Sequence, residues 1–487
     1  MKRKHWFLLA VVAVVALASL VIVVGRKDEP LGFNLDDYCT KSWYGVYINN
    51  NKSGHAVAEI SKITHNGRPA YKAAMAMTLQ VAMMGQTQTI EQSEYQIFYA
   101  SGEMAECFTS LGEQSYHAVV KGGNVEVTTI TGGHKRTKTQ PAPNVTLADQ
   151  VAPLTLLLSN PEPGDSSTNP AYDPMLGTLT TTTVFKGKRT VTHNNAEMLV
   201  YDIESTIVDT KMTIKMLMTE KGEVLQLTIP AGLLTVVAKI EDEKTAKDLS
   251  AESSEMLDAS LIKPTGEAPR PSAAKVRMKI TGLADEDSII NNDQQTFKKV
   301  GEGEWEVTVL RGKYPPDAPD VPVRDQAVAE FLKSTELYQS DHPKIVAKAR
   351  ELTGEMKNSA RITQTFALWV FTNVKKEGLV TFSNALETLN SMTGDCGEHA
   401  ALFVALCRAA GVPARVANGI AYVKALGGFG GHAWAEVYIG RWVAVDPTFG
   451  EPVANPLRVK LSSDDLLEAT RLLTALRDMK IEFLPNE

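Results

Sequence analysis

Apolar and polar residues alternate with period two along much of the first half of the chain. Met75, Met77, Leu79 and Val81 have the spacing of a strand that buries one face. A hairpin is predicted where Met212, Ile214, Met216 and Met218 alternate with Lys211, Thr213 and Lys215. A turn at Lys221-Gly222 follows, and Leu225, Leu227 and Ile229 return. Methionines at strand spacing are expected in a core rather than on a binding surface. Residues 36–245 therefore read as a β-rich domain. It is interrupted from Pro141 to Pro174 by a loop rich in Pro, Ser, Asn and Asp, around a short apolar helix near Leu154 to Leu158.

The pattern then changes twice. A linker is expected over 246–275, charged at first and then carrying Pro264, Pro269 and Pro271. Alternation resumes at Val276, Met278 and Ile280 and continues through Trp305, Val307 and Val309. This predicts a small β segment over 276–322 that ends in Pro315, Pro316, Pro319 and Pro322. Beyond it the period becomes helical: Ile362, Phe366, Trp369 and Val370 fall at i, i+4, i+7 and i+8, and His342 to Leu352 reads similarly. A last domain is expected over 323–475, and the whole as α+β.

The N-terminus has its own pattern. Lys2, Arg3 and Lys4 precede nineteen uncharged residues, Trp6 to Val24. A helix of that length extends about 28 Å, near the hydrocarbon thickness of a bilayer. Residues 1–30 are thus expected to form a membrane anchor, with the rest facing the periplasm or the cell exterior. The alternative is a signal sequence cleaved near Ala16-Leu17-Ala18, releasing a secreted protein.

Composition narrows the classes further. With 44% hydrophobic and 22% charged residues the chain is globular, and a net charge of -7 without a basic block past the first residues gives no reason to expect nucleic acid as a partner. Four cysteines are too few for a disulfide scaffold. Cys396 and Cys407, eleven residues apart on one expected helix, stand about 16 Å apart, beyond disulfide reach. Cys39 and Cys107 are expected either to pair or to remain separate thiols.

Two segments carry candidate chemistry. Gly394-Asp395-Cys396-Gly397-Glu398-His399-Ala400 reads as a turn feeding an apolar helix, which puts Cys396 at the helix start. Backbone N–H groups there favour a thiolate and can serve an oxyanion. Downstream, Gly431 to Tyr438 and Arg441 to Asp446 read as two strands joined by a two-residue turn at Ile439-Gly440. That register sets His432 within one residue of lying opposite Asp446. Cys396 is then the candidate nucleophile, His432 the base and Asp446 the carboxylate that orients it.

These segments, together with Ala409-Ala410-Gly411-Val412-Pro413-Ala414-Arg415, His432-Ala433-Trp434-Ala435-Glu436-Val437 and Asp446-Pro447-Thr448, resemble the bacterial transglutaminase-like family. The resemblance covers roughly 320–475 and implies a papain-like core with a Cys-His-Asp triad at Cys396, His432 and Asp446. Many relatives carry a further histidine after the aspartate motif, whereas this chain reads Ala454-Asn455-Pro456-Leu457-Arg458. The oxyanion tryptophan of some eukaryotic members has no assigned counterpart, since Trp369 reads as a core residue. His399, one helical turn after Cys396, matches no zinc spacing with Cys407 or His432, so no metal and no cofactor is expected. Glu398 reads as a helix-start acid, Glu436 as a strand-face acid, Cys407 as a core thiol and Asp395 as a cap.

The function expected is an extracytoplasmic cysteine enzyme that transfers the acyl group of a protein or peptide substrate through a thioester, as an amidase, peptidase or transamidase. The contrasting class is an envelope binding or scaffold protein built on the same domain without catalysis.

Overall fold

The computed structural model describes residues 35–83, 86–112, 114–131, 134–193, 196–231, 233–249, 261–283, 286–376, 384–463 and 476–485. They divide between residues 256 and 257 into two compact units.

The first unit is built on one fourteen-stranded antiparallel sheet. Eight consecutive strands, from Lys41–Ile48 to His134–Pro141, form one meander, and six more, from Ser166–Asp173 to Leu234–Glu241, form a second. The two join where the first strand of one pairs with the last strand of the other, from Trp43↔Glu241 to Ile48↔Val236. The methionine strand Met212–Thr219 obeys the period-two reading, for Met212, Ile214, Met216 and Met218 are all buried. Its turn places Gly222 at φ 78°, a conformation that favours glycine. Between the meanders, Thr146 and Asp149 cap a short helix reciprocally, and Leu154, Leu156 and Leu157 of the helix Ala152–Leu158 are buried. Buried Asp173 accepts hydrogen bonds from the backbone N–H groups of Met175 (2.8 Å) and Leu176 (2.7 Å). Cys39 and Cys107 are both free, so they are separate thiols.

The second unit holds two four-stranded sheets. In the first, Gln295–Gly301, Glu304–Leu310 and Lys275–Thr281 are completed by the chain's last strand, Lys480–Leu484, which pairs from Arg277↔Leu484 to Thr281↔Lys480. The second runs in the order Trp442–Val445, Gly428–Tyr438, Ala414–Val423, Arg458–Ser463. The helix Cys396–Ala409 packs on that sheet, with the helices Pro343–Thr353, Ser359–Asn373 and Ala385–Ser391 against it. Ala400 through Cys407 are buried without a polar stripe, as expected of a helix enclosed on all sides. Truncating buried Phe366 or Phe403 to alanine would cost about 3–5 kcal/mol. On the helix Ser359–Asn373, capped by Asn358 through the Arg361 N–H, Ile362, Phe366 and Val370 face inward while Leu368 and Phe371 are exposed. Trp369 is half-buried with Lys348 over its ring.

The fold class expected from the sequence needs correction. The described residues are mainly β, 52% strand and 20% helix, because one sheet of fourteen strands dominates the first unit. The expected membrane anchor over residues 1–30 lies outside the described residues, and among the described residues no helix is long and apolar enough to cross a membrane. The anchor is therefore no part of the fold assignment.

Candidate active site

The site starts from a helix cap. Asp395 accepts a hydrogen bond from the Gly397 N–H at 2.7 Å, and Glu398 accepts one from the Asp395 N–H at 2.9 Å. This reciprocal cap sets the first turn and makes Cys396 the first helical residue. Gly394 is required just before it, since a Cβ there would stand 2.4 Å from the Glu398 Cβ.

Cys396 is 7% exposed, and the backbone N–H of Ala433 hydrogen-bonds its sulfur. The helix that begins at Cys396 and the strand that carries His432 therefore meet at residues 396 and 433. Burial, and next the negative charge of Asp395, push the thiol up well above its ordinary range, against the pull of the Ala433 N–H. The thiolate expected at the helix start is outweighed by this desolvation, so Cys396 rests as a neutral thiol. Asp395 is itself pushed up, first by burial and then by the neighbouring Glu398.

His432 and Asp446, both buried, are in direct contact: Nε2 of His432 lies 2.7 Å from Oδ2 of Asp446. The hairpin that joins them differs from the expected one by a residue. Its connection has three residues, Ile439 to Arg441, with Gly440 at φ 93°, and Tyr438 pairs with Trp442 and Ala435 with Val445. Asp446 thus lies diagonal to His432 on the same face, still within side-chain reach. The imidazole is stacked with Phe449 at 4.9 Å and with Trp434 at 6.1 Å between ring centres. With Nε2 directed at the carboxylate, Nδ1 is the nitrogen on the far side of the ring, suited to exchange a proton with a thiol.

Asp446 is over-determined. Its Oδ1 accepts from the backbone N–H groups of Thr448 (2.9 Å) and Phe449 (3.0 Å). Its Oδ2 accepts from Arg458 through Nε (3.0 Å) and Nη2 (2.6 Å) as well as from His432. Burial alone would raise this carboxyl, but the Arg458 guanidinium and His432 hold it well below the usual carboxylate range. Arg458 also reaches Glu451 at 3.0 Å. Where the family resemblance leads one to look for a histidine, this chain engages Asp446 with Arg458. The available signal was two cations, Arg458 and Lys460, at alternate positions in a strand too apolar around them to leave them unpartnered.

The neighbouring residues resolve into supporting roles. His399 is fully buried with Nδ1 2.6 Å from the Asp395 carbonyl oxygen, and burial pushes it down to about 4, so it is neutral. Glu436 is buried between Lys460 (2.5 Å) and Arg415 (2.7 Å). Burial would raise it, but the two cations, Lys460 foremost, hold it below the ordinary range. Arg415 in turn lies 4.0 Å over the Trp442 ring. Cys407 is a packed core thiol. No group of three or more metal-ligating side chains suited to a metal ion occurs among the described residues.

Residues 346–447 match the family model of the transglutaminase-like superfamily. The C-terminal unit therefore carries a transglutaminase-like core, a cysteine-enzyme type of domain. A structure described as a candidate cysteine protease from Cytophaga hutchinsonii is 20% identical over 42% of this chain and 83% of its own, with a TM-score of 0.30. A β-barrel-like protein of unknown function from Brucella abortus is 12% identical over 41% of this chain and 94% of its own, at 0.31. A candidate protease from Parabacteroides distasonis is 14% identical over 74% of this chain and 68% of its own, at 0.21. These TM-scores are too low to carry fold or function, and the assignment rests on the family match and the site. No curated protein matches the sequence.

Proposed function

We propose that this protein is a cysteine acyl-transfer enzyme acting on peptide or carboxamide bonds of a protein or peptide substrate. The observation that carries the reading is the 2.7 Å contact between His432 Nε2 and Asp446 Oδ2, on the strand whose Ala433 N–H meets the Cys396 sulfur. The chemistry follows from a neutral resting thiol. As substrate enters, His432 Nδ1 takes the Cys396 proton and the sulfur attacks the carbonyl carbon, forming a C–S bond while the carbonyl π electrons move to oxygen. The Cys396 N–H at the helix start is a donor for that oxyanion. When the tetrahedral intermediate collapses the C–N bond breaks, the departing amine takes the proton from His432, and a thioester remains. Water or an amine, deprotonated by the same imidazole, then attacks the thioester carbon, and the sulfur leaves and regains its proton. Asp446 keeps Nε2 engaged and stabilises the imidazolium between the two halves.

The test is intact mass spectrometry of the protein mixed with glutamine-containing and peptide-amide substrates, with and without an amine acceptor. A covalent acyl adduct on Cys396, absent from Cys396→Ala, is expected, and its resolution by water or by the amine names the reaction. No adduct on Cys396 with any substrate, in protein shown to be folded, refutes the mechanism.

A further inference from the structure

Lys376 is a cation beside the site that the chemistry above does not use. The strand Lys375–Lys376 pairs in parallel with Thr393–Gly394, setting Lys376 opposite Gly394, two residues before the nucleophile. On its other side Nζ lies 4.2 Å over the Phe371 ring. Phe371 packs so closely on the catalytic hairpin that a Cβ at Gly450 would stand 2.7 Å from the ring, and Gly450 follows Phe449, which stacks on His432. Lys376 is thus bracketed by the chain entering Cys396 and the chain leaving Asp446. It is half-buried and makes no salt bridge among the described residues. Asp446, the acid whose charge acts on it, is already taken up by Arg458, His432 and two backbone N–H groups. Burial pulls the ammonium down from its ordinary value, so an arriving carboxylate would relieve a cost already incurred.

We infer that Lys376 is a specificity-determining residue that receives a carboxylate of the acyl donor, so that the preferred substrate carries a negative charge next to the reacting carbonyl. The inference rests on the acyl-transfer reading and names its substrate class. Phe371 holds the ammonium in place, and a carboxylate arriving with the substrate would pair with it. A carboxylate so close to the carbonyl comes either from a terminal residue or from an acidic side chain.

The experiment is alkylation of Cys396 in the full chain by iodoacetate and by iodoacetamide, reagents of the same size that differ by one charge, with mass spectrometry locating the modified cysteine. Lys376→Met is expected to lower the iodoacetate rate about fivefold relative to iodoacetamide, Lys376→Glu to lower it further, and Lys376→Arg to preserve the wild-type ratio. An iodoacetate-to-iodoacetamide ratio equal in wild type and Lys376→Met overturns the assignment, even where iodoacetamide confirms a reactive thiol. A wild-type protein that forms no acyl adduct on Cys396 with any peptide substrate overturns the acyl-transfer reading and the Lys376 assignment together. In matched peptides ending in a carboxylate, ending in an amide, or carrying an acidic side chain, the anionic source is the one whose kcat/KM falls in Lys376→Met. An equal fall for all three also refutes the role.

Discussion

Arg458 donates two hydrogen bonds to the same oxygen of Asp446 that faces His432. The buried carboxylate is therefore shared between a fixed cation and the imidazole proposed as the base. Of the two groups that hold Asp446 ionised, Arg458 contributes more than His432. Arg458→Met removes that balance. The Asp446 carboxyl loses the charge that most holds it down, so it takes a proton at a higher pH and the acid limb of the kcat/KM profile is expected to move up by about one pH unit. Stability should fall by about 3–5 kcal/mol, read by denaturant unfolding, because a buried charge loses its partner. An unmoved pH profile would show that Arg458 serves packing alone.

His399 makes the C-terminal unit sensitive to mild acid. Its ordinary value is 6.5 and burial pushes it down to about 4, so the unfolded chain takes a proton at a pH where the folded site refuses it. Stability is complete above 6.5, declines as pH falls towards 4, and by then has lost about 3 kcal/mol from this residue. His399→Gln should flatten urea midpoints across that window. A slope identical to wild type would place the acid sensitivity elsewhere.

Asp173 acts with the opposite sign in the N-terminal unit. Burial raises it from 3.8 to about 6, so its contribution is present below 3.8 and lost as pH rises through 6. Asp173→Asn keeps an oxygen to accept from the Met175 and Leu176 N–H groups. It is expected to raise stability at pH 8 by up to about 3 kcal/mol and to change little at pH 4. Calorimetry at the two pH values reads the difference, and equal effects at both would argue against titration of Asp173.

Glu436 depends on Lys460 and Arg415 together. Lys460→Met should destabilise by about 3–5 kcal/mol by stranding part of a buried charge, and adding Glu436→Gln should restore much of the loss. Strict additivity in that double-mutant cycle would deny the coupling.

What could be read from the chain was local. The helix over Ser359–Asn373 follows from an asparagine cap and an i, i+4 apolar face, and the start of the nucleophile helix from the Asp395–Glu398 cap. His432 and Asp446 were legible as neighbours because one hairpin separates them, though a three-residue connection shifted the register by one position. Arg458 was not legible. It reaches Asp446 only because Arg458–Ser463 adds to the far side of Ala414–Val423, with Ala421 opposite Arg458, a pairing set by sheet assembly rather than by any nearby turn. The closing strand Lys480–Leu484 was missed for the same reason, since its partner Lys275–Thr281 lies some two hundred residues earlier.

The order of the fourteen-stranded sheet has a kinetic side. Within each meander every strand pairs with its sequence neighbour, and such hairpins close over short loops. The seam from Trp43↔Glu241 to Ile48↔Val236 instead joins residues nearly two hundred positions apart, and its loop-closure entropy is repaid only once both meanders exist. Assembly should therefore proceed as two ribbons followed by one docking event. Until that event, Lys41–Ile48 and Leu234–Glu241 are open edges, each a template for strands of another molecule, so the interval before the seam closes is when crowding most threatens this chain.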